Sequence, residues 1–225
     1  MNHPAGNFSG PTIDDPHFIV KSLGLCDFQP TWQTMKSFTE RRTAETQDQI
    51  WLLQHPPVFT QGIAGKPEHL LDAHGIPLIE TDRGGQITYH GPGQIIAYLL
   101  LDIRRLKLTV RELVRSMENA VIDVLKTYQI PATGRVEAPG VYVDKAKIAS
   151  LGLKIKKNYC YHGIALNVDM DLTPFSYINP CGYKGLRVTQ VRDFSVDFTL
   201  EQVGFQLANQ LQKKLLKGPL NHHHD

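Results

Sequence analysis

Cysteine is scarce in this 225-residue sequence: there are three, Cys26, Cys160 and Cys181, and no CxxC pair. An odd, widely spaced set argues against a disulfide framework and makes a reducing cytoplasm the expected compartment. Long hydrophobic runs are missing too. "AYLLLDI" is only strand-sized, so no membrane-spanning helix is expected. Charge of one sign is not in excess. A net charge of +2 is too small to suggest a nucleic-acid partner. No GKS or GKT follows a glycine-rich run, which excludes a phosphate loop. The opening "MNHPAGNFSGPTIDDPHF" lacks a basic flank followed by an apolar stretch and is not read as a secretory signal. Its Pro, Gly and Asn content suggests a loose arm over residues 1–16. "NHHHD" gives a His-rich tail at 220–225, and with no repeat or linker between, residues 17–219 read as one domain.

What is present is an ordinary globular balance, 41% hydrophobic and 20% charged. "TWQTMKSFTERRTAET" sets Trp32, Met35 and Phe38 at helical spacing, and "QIWLLQH" follows as a buried strand. "PEHLLDAHG" reads as a short helix ending at Gly75, before a strand in "IPLIETD". "QITYHGPGQIIAYLLLDI" reads as two strand segments broken by a Gly-Pro-Gly turn. A capping box of Thr109 and Glu112 opens the clearest helix, with Leu113, Met117, Val121 and Val124 on one face and Leu125 and Tyr128 beside it. A second box, Thr199 with Gln202, opens a helix that stops at Gly218 and Pro219. Between these helices "GVYVD", "KIASLGLKI" and "YHGIALNVDMDL" are strands joined by short turns, which favours antiparallel pairing. The expected fold is therefore α+β, a mixed and largely antiparallel sheet with packed helices.

Three segments carry candidate chemistry. In "RGGQITYHGPGQ" paired glycines permit close backbone approach to a ligand, flanked by an Arg and a His. In "KIASLGLKI" the strand lysine, Lys147, faces either solvent or a cleft, and Ser150–Gly152 offer backbone N–H groups to a developing oxyanion. In "INPCGYKG" Cys181 sits between Pro180 and Gly182, a rigid mount. A free thiol is only about 3% thiolate at neutral pH, so a nucleophilic one needs a nearby cation or base. Taken by itself the turn leaves Cys181 open between packing and chemistry. Cys26 and Cys160 read as structural.

In combination, "RGGQITYHGPGQIIAYLLLDIR", "APGVYVDKAKIASLGLKI" and "YHGIALNVDMDLTPFSYINPCGYKGL" resemble the lipoyl(octanoyl) transferase family, in the family's order and across most of the domain. The resemblance implies the fold of the biotin and lipoate ligase catalytic domain. It implies that Cys181 is a nucleophile carrying the acyl group as a thioester and that Lys147 is its proton-shuttling partner. It also implies substrate contacts from Arg83, Gly84, Gly85, Gln86, Ile87, Thr88, Tyr89 and His90, from Ser150, Leu151 and Gly152, and from Gly163, Ile164 and Ala165. The implied reaction moves octanoyl from octanoyl-acyl carrier protein to a lysine of lipoyl domains, those of 2-oxoacid dehydrogenases and the glycine cleavage H protein, with no cofactor and no metal. Such partners are typically acidic, and Lys154, Lys156 and Lys157 of "KIKK" are the first docking candidates. An ATP-dependent ligase of the same fold, an inactive scaffold that only binds lipoyl domains, and a metal-binding role through His90, His162 and the tail, for which no ligand spacing of a known site appears, are the alternatives.

Overall fold

The computed structural model describes residues 16–135 and 137–217. Nearly all of the N-terminal arm, the His-rich tail and the helix stop at Gly218 and Pro219 lie outside them. Ten strands and three helices follow in chain order. They are β1 (Phe18–Leu25), α1 (Phe28–Arg41), β2 (Asp48–Gln54), β3 (Val58–Gln61), β4 (Leu78–Glu80), β5 (Ile87–His90) and β6 (Gln94–Asp102). After these come α2 (Val110–Thr127), β7 (Thr133–Gly134), β8 (Gly140–Val143), β9 (Ala146–Lys156), β10 (Tyr159–Asn167) and α3 (Leu200–Leu216). Seven strands form one sheet in the order β1-β2-β6-β10-β9-β8-β7, in which only β1 and β2 run parallel. A small sheet has the order β4-β3-β5. This is the mixed, largely antiparallel α+β arrangement expected.

The large sheet is covered on both faces, which explains why its central strands read as unbroken apolar runs. Ile95, Ala97, Leu99 and Leu101 of β6 point into the core under α2 and α3. Ile96, Tyr98 and Leu100 point the other way, into the cluster under α1 with Met35, Trp51 and Leu53. Both capping boxes form. Thr109 accepts from the Glu112 N–H at 3.2 Å and donates its own N–H to Glu112 at 2.7 Å, and Thr199 does the same with Gln202, both at 3.1 Å. Between β9 and β10, Lys157 and Asn158 both have positive φ, the geometry of a tight hairpin turn.

Two expectations change. "PEHLLDAHG" makes only a 3-10 turn at Pro67–His69. Leu70 instead bridges to Ile178, and the N–H groups of Leu71 and Asp72 both go to the Tyr177 carbonyl. Tertiary backbone bonds outcompete a helix too short to repay its own nucleation. The Gly-Pro-Gly turn does break two strands, but it sends them into different sheets, β5 to the small one and β6 to the large one. Gly93 makes this turn possible. Its φ is +86°, and a Cβ there would stand 1.8 Å from the Asp169 carbonyl oxygen. β3, and with it the small sheet, was not anticipated.

Candidate active site

Cys181 and Lys147, 34 residues apart, meet because the chain following the cysteine is stitched to the lysine's own strand. Lys147 N–H donates to the Arg187 carbonyl at 2.8 Å, and Thr189 N–H donates to the Lys147 carbonyl at 3.0 Å. On its upstream side the turn is held by Asn179 N–H donating to the His69 carbonyl at 2.8 Å. Cys181 itself has φ +56°, ψ 19°, a left-handed conformation that a non-glycine residue adopts at a cost of about 1–2 kcal/mol. That strain aims the side chain at Lys147, whose Nζ donates to Sγ at 2.9 Å.

Lys147 is buried, with 3% of its surface exposed. Alternation along β9 could not have told this, since Ala146, Lys147, Ile148 and Ala149 are all buried. Its stem lies against Gly140, the first residue of β8, where a Cβ would come within 2.4 Å of Lys147 Cε. Nζ also stands 5.4 Å from the centre of the Tyr142 ring. Burial works against the ammonium, but the charge and hydrogen bond of Cys181, with help from Tyr142, outweigh it. Lys147 is held above the ordinary lysine value.

The pair opens onto a cavity of about 360 Å³, within the roughly 300–1,000 Å³ usual for small-molecule sites. Arg83, Gly84, Gly85, Gln86, Ile87, Thr88 and His90 all line it, as do Ser150–Gly152 and Gly163–Ala165. These two triplets are cross-strand partners, Ser150 with Ala165, Leu151 with Ile164 and Gly152 with Gly163, so they form one patch of wall. In such a ladder alternate N–H groups face the partner strand, leaving only those that face away from β10 for a ligand oxygen. Tyr89 does not line the cavity. It packs with Phe59 and Phe175 in the core under the small sheet, and burial pushes its hydroxyl up to about 12. Among the described residues, Gln86 Oε1 is buried with no hydrogen-bond partner, and Gln86 Cδ would lie 3.2 Å from a Cβ on Gly182.

Lining residues outside the predicted set include Phe28, Tyr98, Val110, Val114, Leu153, His162 and Tyr183. They are scattered along the chain. Tyr98 gave a signal as the one polar group inside "IIAYLLL", and His162 and Tyr183 stand within the quoted "YHGIALNVDMDL" and "INPCGYKG". Behind the wall runs a satisfied polar network. Arg83, whose guanidinium burial pushes down to about 10, donates to the Thr60 carbonyl at 2.6 Å and the Thr60 hydroxyl at 2.9 Å. His90 lies 3.2 Å from that hydroxyl and 2.7 Å from Gln94, and Gln94 donates to Asn167 at 2.9 Å. His55 bonds Tyr98 at 2.7 Å, while Asp82 takes His162 at 3.1 Å, Trp32 at 2.9 Å and the Tyr161 hydroxyl. Burial tends to raise the Asp82 carboxyl, but these three donors outweigh it and hold it well below the usual range.

Burial is also the leading cause that pushes His55 down to about 4 and His90 to about 3, and His162 is lowered as well. His55 and His90 are therefore neutral at pH 7. Unfolded histidines take a proton near pH 6.5, so between that pH and about 4 the unfolded chain binds more protons. Stability should then fall as pH falls, by about 1.4 kcal/mol per pH unit for each of His55 and His90. Urea midpoints measured from pH 7.5 to 4.5 check this, and a flat series would contradict the neutral assignment.

The same architecture occurs in solved ligases. A putative lipoate protein ligase from T. acidophilum superposes with a TM-score of 0.72 over 87% of this chain and 84% of that one, at 18% identity. Biotin protein ligase from Aquifex aeolicus superposes with a TM-score of 0.56 over 89% and 71%, at 14% identity. The fold is that of the lipoate and biotin ligase catalytic domains. Sequence relatives are nearer: octanoyltransferases of Nitrosomonas europaea and Chromobacterium violaceum are 62% and 58% identical, over 87% and 88% of this chain and 96% and 95% of theirs. With residues 27–212 matching the lipoyl protein ligase A/B catalytic domain, the chain belongs to that family.

Proposed function

We propose that this protein transfers an octanoyl group from octanoyl-acyl carrier protein to a lysine of lipoyl domains, those of 2-oxoacid dehydrogenases and the glycine cleavage H protein, in the cytoplasm. The observation that carries the reading is the 2.9 Å approach of Lys147 Nζ to Cys181 Sγ at the wall of a mostly apolar cavity. In the first half-reaction the Cys181 thiolate attacks the donor thioester. A new C–S bond forms, the carrier's C–S bond breaks, and the carrier thiolate leaves. Exchange between like bonds needs no nucleotide. In the second, the acceptor amine attacks the acyl-enzyme, the amide forms and Sγ departs with the electron pair. Acylation removes the negative charge facing Lys147, which then gives up its proton more readily, delivers it to the departing carrier thiolate, and as the neutral amine can take one from the attacking acceptor amine. The seven carbons beyond the carbonyl are worth roughly 5 kcal/mol at ~0.8 kcal/mol per methylene when buried.

The test is intact-mass analysis after incubation with octanoyl-acyl carrier protein. An octanoyl adduct mapping to Cys181, discharged on addition of a lipoyl domain, is expected. Absence of the adduct, or turnover that demands ATP and free octanoate and releases pyrophosphate, would overturn the proposal.

Docking of an acidic carrier favours different basic residues from those of "KIKK". Nine residues of β9 at about 3.3 Å each carry Lys156 about 30 Å from Lys147, and Lys156 pairs with Glu40 at 3.0 Å. Lys184 and Arg187 are exposed on the segment that links Cys181 to the Lys147 strand. Neutralising Lys184 and Arg187 together should raise the KM for carrier severalfold and flatten its salt dependence. The same change at Lys156 and Lys157 should do less, and the reverse order would return the docking site to the hairpin.

A further inference from the structure

Glu118 is a carboxylate on the core-facing side of α2, among Leu113, Met117, Ala120 and Val121, and only 9% of its surface is exposed. A charge in that position is expensive unless it is used. Its Oε1 accepts the Gly140 N–H at 3.0 Å, and its Oε2 is 2.9 Å from where a Cβ on Gly134 would stand, so it is wedged between the end of β7 and the start of β8. Gly140 is the residue against which the Lys147 stem lies. Carboxylate, glycine backbone and ammonium are thus stacked in sequence, with the thiol beyond.

We propose that Glu118 is the positioning residue of the Cys181–Lys147 pair: it fixes the Gly140 backbone that directs Lys147 at the thiol, and supplies the fixed negative charge behind the ammonium. This rests on the acyl-relay reading for its catalytic meaning, though not for its test. The charged and titratable groups around Glu118 are Arg115, one turn back on α2, and Lys147 on β9. Those around Lys147 are Cys181, Tyr142 and Glu118, and those around the Cys181 thiol are Lys147, Tyr142 and the buried Arg83 guanidinium. Within this set Glu118 is the carboxylate: burial raises its pKa, the Gly140 N–H, Arg115 and Lys147 work against that rise by favouring the charged form, and all of these stay in place when acylation neutralises the sulfur. It therefore governs how readily Lys147 sheds its proton at the stage when the acceptor amine arrives. Glu118 touches neither reacting atom, so its role is exerted through Lys147.

The two functions separate by substitution. Glu118→Gln keeps an oxygen for the Gly140 N–H and removes the charge, whereas Glu118→Ala removes both. The measurement is the pH dependence of alkylation at Cys181 by iodoacetamide, read by peptide mapping so that Cys26 and Cys160 are scored apart. Loss of a fixed negative charge eases both formation of a thiolate and loss of the lysine proton. In Glu118→Gln the half-maximal pH should therefore move down by on the order of one unit. Glu118→Ala, where it folds, should alkylate with a disturbed profile and a broader, slower phase. A purely structural carboxylate predicts a Glu118→Gln profile superimposable on wild type, and that result in folded protein overturns the proposal. Alkylation requires no acyl donor. A shift without any octanoyl adduct on wild type would leave this inference standing and remove the acyl relay, and an adduct without a shift would do the opposite.

Discussion

Cys181→Ser should lower octanoyl transfer to a lipoyl domain by about 10³-fold or more, with no acyl adduct detectable by intact mass. A serine hydroxyl 2.9 Å from an ammonium does not give up its proton as a thiol does, and an oxyester is a poorer acyl donor to an amine than a thioester. The fold should be untouched. Cys181 is only partly buried and its left-handed backbone is as accessible to serine as to cysteine, so stability should stay within about 0.5 kcal/mol. Loss of activity with an unchanged melting curve is thus the expected pattern. Retention of transfer by the folded serine variant would end the nucleophile assignment.

Lys147→Met is the companion change, and its effects should be graded across the two half-reactions. Methionine keeps an unbranched stem along Gly140 and removes the charge. Without the ammonium, Cys181 should require higher pH for alkylation. Acyl discharge to the amine, which loses its proton acceptor, should slow by roughly 10²–10⁴-fold. Because the lysine is 97% covered, an apolar replacement of similar length should be neutral or mildly stabilising. Rapid-quench comparison of acylation and discharge, beside the alkylation profile, checks both limbs. A pH profile of alkylation identical to wild type would mean that the 2.9 Å contact does not govern the thiol.

Much of the scaffold is visible in local pattern. Both capping boxes, the long apolar runs of β2 and β6, and the succession β8, β9, β10 follow from residue type and spacing. What pattern misses is set by tertiary partners. β3 is four residues long and gains its identity from β4 and β5. "PEHLLDAHG" has helical composition, but its backbone finds Tyr177 and Ile178 first. The face of Lys147 is illegible because β9 is buried on both sides where the lysine sits and β8 carries a bulge at Val141 and Tyr142 opposite it. The pairing with Cys181 came from likeness to a family, since no spacing rule brings together residues 34 positions apart. Glu118 stood in plain view as a lone acid on an apolar helix face, and periodicity alone gave it no role.

The most exposed residues of the cavity wall, Gly85, Val110, Glu137, Pro139 and Tyr183, mark its doorway. If donor and acceptor both reach Sγ through that doorway, they cannot occupy it together. The first protein must depart, leaving its cargo behind, before the second can approach. Turnover would then follow a double-displacement course, with parallel reciprocal plots, and each unloaded partner would compete with the other for the free enzyme. A small door in front of a covalent store would impose alternation on two visitors that never need to meet.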